Sequence, residues 1–106
     1  MTRVELIRLI GDVLRQLDGL KTNQSPDDPS RSILVELRNT LAKQQLTLAI
    51  RDLDEGTPAF LKAIEDILAS NAEMDGAIGS ADKGVVPVDN VKHFVKAVDA
   101  LVESRH

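Results

Sequence analysis

The chain has 106 residues, 42% apolar and 28% charged, which fits a single globular domain over residues 1–106 that holds its core without staples. Cysteine is absent, which excludes disulfides, thiolate metal sites and cysteine nucleophiles and fits a reducing, cytoplasmic setting. The net charge of −4 is local: zero over residues 1–19, −1 over 20–29, +2 over 30–53, −5 over 54–75 and zero over 76–106.

The first helix opens on Thr2 and Glu5 at capping-box spacing, where each side chain can satisfy a backbone N–H at the helix start. Leu6, Ile7, Leu9, Ile10, Val13, Leu14, Leu17 and Leu20 share one arc of the wheel. Val4 lies outside that arc, and Glu5, Arg8, Asp12, Arg15 and Asp18 take the reverse side. Arg8 and Asp12 have the i,i+4 spacing of a helix ion pair. Gly11 falls on the polar side, and Gly19 marks the expected end. Residues 21–29 read as a polar linker, closed by Asp28 as a cap and Pro29 as the first helical position.

The second helix, expected over residues 30–53, carries two apolar stripes about 130° apart on the wheel. Ile33, Leu34, Leu37, Leu41 and Leu48 form one; Val35, Ala42, Leu46, Ala49, Ile50 and Leu53 form the other. A helix of this kind either runs through the middle of a bundle or offers its spare stripe to another chain. The candidate partner-binding residues are therefore Leu34, Leu41, Leu46, Leu48, Ala49 and Leu53, with the outward stripe left open.

Gly56 is the expected stop, and Thr57 with Pro58 repeats the cap-and-proline start. Phe60, Leu61, Ala63, Ile64, Ile67 and Leu68 form one stripe of the third helix. Gly76, Gly79, Gly84 and Pro87 predict a glycine-rich loop over residues 73–88. Within it, Ile78 and Val85 to Val88 make an apolar segment that either plugs the bundle end or docks a partner. Asp89 is the expected cap of the last helix, whose Val91, Phe94, Val95, Val98, Leu101 and Val102 face inward.

The patterns that carry chemistry are incomplete. Lys83 precedes Gly84 and is followed by no Ser or Thr, so the phosphate-loop pattern fails. Counted from Asp52, the sixth and twelfth places of a calcium loop hold Thr57 and Ala63 instead of Gly and Glu. No catalytic triad can be assembled, and no metal or cofactor is expected. Phe60 and Phe94 are the only aromatics, and without a basic face they argue against a nucleic-acid partner. No apolar run approaches the ~20 residues of a membrane span, so no membrane partner is expected. His93, with Lys96 and Ala97, resembles the phosphoacceptor segment of histidine phosphotransfer domains. That resemblance implies a phosphoryl group carried on His93 of a small helical bundle.

The expected fold is all-α: a four-helix bundle-like domain with antiparallel neighbours and a glycine-rich loop before the last helix. The expected function is a non-enzymatic protein–protein interaction module, an adaptor, regulator or small inhibitory partner, whose partner includes a second copy of itself. Histidine phosphotransfer through His93 is the alternative.

Overall fold

The computed structural model describes residues 1–22, 27, 29–51, 54–80 and 88–103. Four helices make up the fold: α1 Arg3–Thr22, α2 Pro29–Ile50, α3 Pro58–Ser80 and α4 Val88–Glu103. They pack around one core, and no strand occurs among the described residues.

Each described start has a local cause. The Thr2 N–H donates to Glu5 Oε1 at 3.1 Å and the Glu5 N–H returns to Thr2 Oγ1 at 3.2 Å, the reciprocal box its spacing calls for. At α3, the Phe60 N–H donates to Thr57 Oγ1 at 3.2 Å, while the Thr57 hydroxyl donates to the Asp54 carbonyl at 3.1 Å. Pro29 and Pro58 open α2 and α3, where a missing N–H costs nothing. The hydrogen bonds from Thr2, above all from its backbone, hold the Glu5 carboxyl below its usual range. A lowered carboxylate value means stability that is present above the unfolded value and lost as pH falls through the folded one. Melting of the wild type beside Glu5→Gln over an acid series should therefore show a gap near neutrality that closes below about pH 4. A gap of constant size would show that the carboxylate charge is not what holds the cap.

The helix order across the bundle is α1–α2–α4–α3. Among the described residues no Cα of α3 comes within 8 Å of α1 or α2, and none of α4 within 8 Å of α1. Gln45 Nε2 donates to the Ile7 carbonyl at 3.0 Å and Arg38 grips Asp18 through two bonds of 3.0 and 3.4 Å. As residue numbers fall on α2 they rise on α1, so this pair is antiparallel. The α2–α4 pair runs the other way: Gln44 Nε2 reaches the Val95 carbonyl at 3.2 Å, and Arg51 reaches the Val102 carbonyl. Numbers rise together, so α2 and α4 are parallel, and uniformly antiparallel neighbours are not what the chain adopts. The return through α3 imposes this: α3 packs on α4 and skips α2.

Parallel packing brings the C-terminal ends of α2 and α4 to one end of the molecule, with their unsatisfied carbonyls and negative dipole ends. Two arginines answer them. The Arg3 guanidinium donates to the Arg51 carbonyl, and the Arg51 guanidinium donates to the Val102 carbonyl. The Arg3 N–H, at the start of α1, is itself taken by Glu55 Oε1 at 2.8 Å.

Several local expectations change. α1 continues past Gly19 to Thr22, and α2 stops at Ile50, well before Gly56. α4 begins at Val88, so Asp89 sits inside its first turn, where negative charge is still favourable. Asp12 pairs with Arg15, three residues on. α3 does not break at Glu73 but runs through Gly76 and Gly79, because Met74 and Ile78 continue its inward stripe and Met74 is fully buried. Burying Met74 contributes roughly 1.5–3 kcal/mol, and Ile78, packed against the core, adds to it, against ~1 kcal/mol for each of the two helical glycines.

Gly11, assigned by the wheel to the polar side, lies at the α1–α2 contact, where an added Cβ would sit 3.3 Å from Gln45 Nε2. Nothing lies within 4 Å of the corresponding point at Gly76. Gly76→Ala should therefore stabilise the fold by about 1 kcal/mol, read as a shift in urea midpoint. Gly11→Ala should not return that gain, since the Gln45 amide bonded to Ile7 would have to move. Equal gains at both sites would remove any packing role for Gly11.

Candidate functional site

The two stripes of α2 separate over most of its length, although Ile33, grouped with the inward stripe, is 38% exposed and Ala42 of the other packs against the core. Leu34, Leu41 and Leu48 follow one another at seven-residue steps along the line facing the core, and all three are fully buried. Gln44 lies on the same inward side, turned to α4. The second stripe points out. Leu46 is 64% exposed and Ile50 79%; Ala49 is exposed beside them, and Val35 and Ala42 are half-buried. Of the six candidate contact residues, then, Leu34, Leu41 and Leu48 are core and offer no surface. Leu46 and Ala49 are open to a partner, and Leu53 lies outside the described residues.

Helix α1 extends this outer strip. The Arg3–Arg51 and Gln45–Ile7 hydrogen bonds fix the antiparallel register, which brings Val4 to the level of Ile50. Val4 is 55% exposed, and its position on the wheel, off the apolar arc, is what turns it outward. Exposed Arg8 and Lys43 lie on the same outer face, one turn from Val4 and Leu46 respectively. The strip is apolar with cationic neighbours.

A second outward strip was not separable in the sequence. Leu61 and Leu68, grouped there with the inward stripe of α3, are 55% and 42% exposed, while Phe60, Ile64, Ile67 and Met74 are buried. Leu61 and Leu68 sit about 80–100° from Phe60 around the helix, at the edge of the apolar arc. Half-buried Ala63, Ser70 and Ala77 lie on the opposite flank. The flank bearing Leu61 and Leu68 is left exposed, and no Cα of α1 or α2 comes within 8 Å of α3. Glu65 and Asp75 are exposed on this flank. Its signal in the sequence was the seven-residue spacing of two leucines beside acidic residues.

The chain matches no family model, no curated protein and no solved structure.

The remaining candidates fall as follows. His93 and Lys96 are exposed on α4 with Ala97 half-buried beside them. The Asp54 and Glu55 carboxylates serve the backbone: Asp54 Oδ1 accepts the Gly56 N–H at 3.0 Å and Glu55 Oε1 accepts the Arg3 N–H. Among the described residues no group of three or more His, Asp or Glu is placed to hold a metal ion, and no helix is long and apolar enough to cross a membrane. Gly76 and Gly79 of the glycine-rich stretch lie within α3. Asp28, Asp52, Lys83, Gly84 and the Val85–Pro87 segment lie outside the described residues.

Gln44 is the polar residue that sequence reasoning passed over. It is 5% exposed, donates to the Val95 carbonyl at 3.2 Å and to Asp99 Oδ1 at 3.5 Å, and its own Oε1 has no partner among the described residues. A buried amide half satisfied costs stability but disfavours sliding of α2 along α4, since a slip would orphan its donor as well.

Proposed function

We propose that this chain is a cytoplasmic, non-enzymatic protein–protein interaction module, an adaptor, regulator or small inhibitory partner, that self-associates through the outer strip of α2. The observation carrying this reading is the exposure of Leu46 and Ile50 on a helix whose other stripe already builds the core. Two large aliphatic side chains one turn apart, with Ala49 between them and Val4 alongside, form a contiguous patch, and such patches mark contact surfaces more often than scattered single residues do.

Magnitude sets what kind of contact this is. Full burial of a Leu or Ile contributes about 1.5–3 kcal/mol, so three or four such side chains supply on the order of 5–10 kcal/mol before the cost of association is met. An association cost of at least about 4 kcal/mol leaves a surplus of no more than about 6 kcal/mol, so the dissociation constant is no tighter than tens of micromolar. The association is reversible, and it suits a regulator whose state follows its concentration.

The test is the solution mass by light scattering after size exclusion, from about 300 to about 1 μM, a range spanning weak to moderate self-association. The expected result is a mass above 11.6 kDa that falls towards it on dilution. A mass equal to the monomer at every concentration would remove self-association from the reading.

A further inference from the structure

We infer that the acidic-flanked strip of α3, Leu61 and Leu68, is the surface that receives the cation-flanked α2 strip of a second copy of this chain. The inference rests on the self-association proposed above and names the opposite face of that contact.

Both strips are built alike and charged oppositely. On α2, exposed Leu46 and Ile50 are accompanied by Lys43, with Val4 and Arg8 alongside on α1. On α3, exposed Leu61 and Leu68 are accompanied by exposed Glu65 and Asp75. Helix α2 carries Arg31 and Lys43 against Glu36, its Arg38 being paired with Asp18 of α1; helix α3 carries Glu65, Asp66, Glu73 and Asp75 against Lys62. Pairing either strip with its own copy would bring like charges together around an apolar centre. Pairing one with the other satisfies both flanks, and complementary rims of this kind choose partner and register. Leu61 and Leu68 are exposed along one flank of α3, and an amphipathic helix laid against such an apolar strip is a recurrent docking mode.

The experiment uses two full-length variants at exposed positions, Leu46→Glu and Leu68→Lys, alone and as an equimolar mixture. Circular dichroism and melting verify that each remains folded, and Leu61→Ser stands in should Leu68→Lys melt early. Each variant alone should weaken self-association at least about tenfold, because it places a charge in an apolar contact opposite its own sign. The mixture should recover assembly, since the intact α3 strip of one variant meets the intact α2 strip of the other. Raising salt from about 50 to about 500 mM should weaken the wild-type contact, as charge screening requires.

If Leu68→Lys and Leu61→Ser both associate as the wild type does while Leu46→Glu does not, α2 meets its own copy. The inference then falls and the proposed function stands. A mixture that stays monomeric while the wild type assembles overturns the inference as well. A wild type that is monomeric throughout overturns both.

Discussion

Leu41→Ala should cost about 3–4 kcal/mol of folding stability, within the range seen when a buried leucine is truncated and its cavity does not close. Leu41 is fully buried midway along α2, in the same cluster as core residues of α1, α3 and α4. The two helices packed on α2, α1 and α4, cannot both move inward to fill one vacated side chain. For a domain whose total stability falls in the usual ~5–15 kcal/mol range, that loss should lower the melting midpoint by well over 10 °C. The same truncation at Leu46, on the outer strip, should change the midpoint of the dilute protein by no more than ~0.5 kcal/mol. Urea melts at low micromolar concentration distinguish the two positions. Equal losses at Leu41 and Leu46 would mean that both stripes of α2 are covered within one molecule.

Arg51→Met should cost about 1–2 kcal/mol, because it removes a charged donor from the Val102 carbonyl and leaves the last turn of α4 without its cap. Hydrogen bonds to charged groups contribute about 1.5–3 kcal/mol when well shielded; Arg51 is half-buried, so the lower part of the range applies. Methionine keeps the aliphatic stem, which separates loss of the cap from loss of packing. The effect should concentrate where α2 and α4 end together, so amide exchange should quicken in the last turn of α4 more than in α3. Uniform quickening, or no loss of stability, would show that Arg51 does not couple the two helix ends.

The residues that announced themselves in the sequence act locally. Thr2 with Glu5, Pro29, and Thr57 with Pro58 set helix starts through bonds spanning three residues or through a fixed backbone angle, and no distant part of the chain is needed to read them. The apolar arcs of α1 and α4 were legible for a similar reason: each is one continuous face. What periodicity could not supply was the identity of the neighbour. The wheel grouped Leu61 and Leu68 with Phe60 and Ile64, because an apolar arc looks the same whether one helix or two lie against it; with α4 on one flank alone, the leucines at the far edge stay exposed. Gly11 looked like a cost on a polar face until Gln45 of another helix was found 3.3 Å from its would-be Cβ. Gln44 carried no signal in the sequence, because only the parallel packing of α4 buries it. Two glycines were read as the end of α3, where burial of Met74, with Ile78 packed against the core, offsets their cost. For the candidate site, the sequence named the helix and both stripes, and only the packing of α1 and α4 on α2 decided which stripe was free.

The most direct test of that division is to compare the double variant Leu46→Glu/Ile50→Glu with the wild type by sedimentation velocity at about 200 μM, well inside the range expected for weak association. A wild type that sediments above its monomer beside a double variant that is monomeric, with the same helical spectrum and the same melting midpoint on dilution, is the expected result. A double variant that sediments as the wild type does would contradict the account, because the outer strip of α2 would then not be the contact.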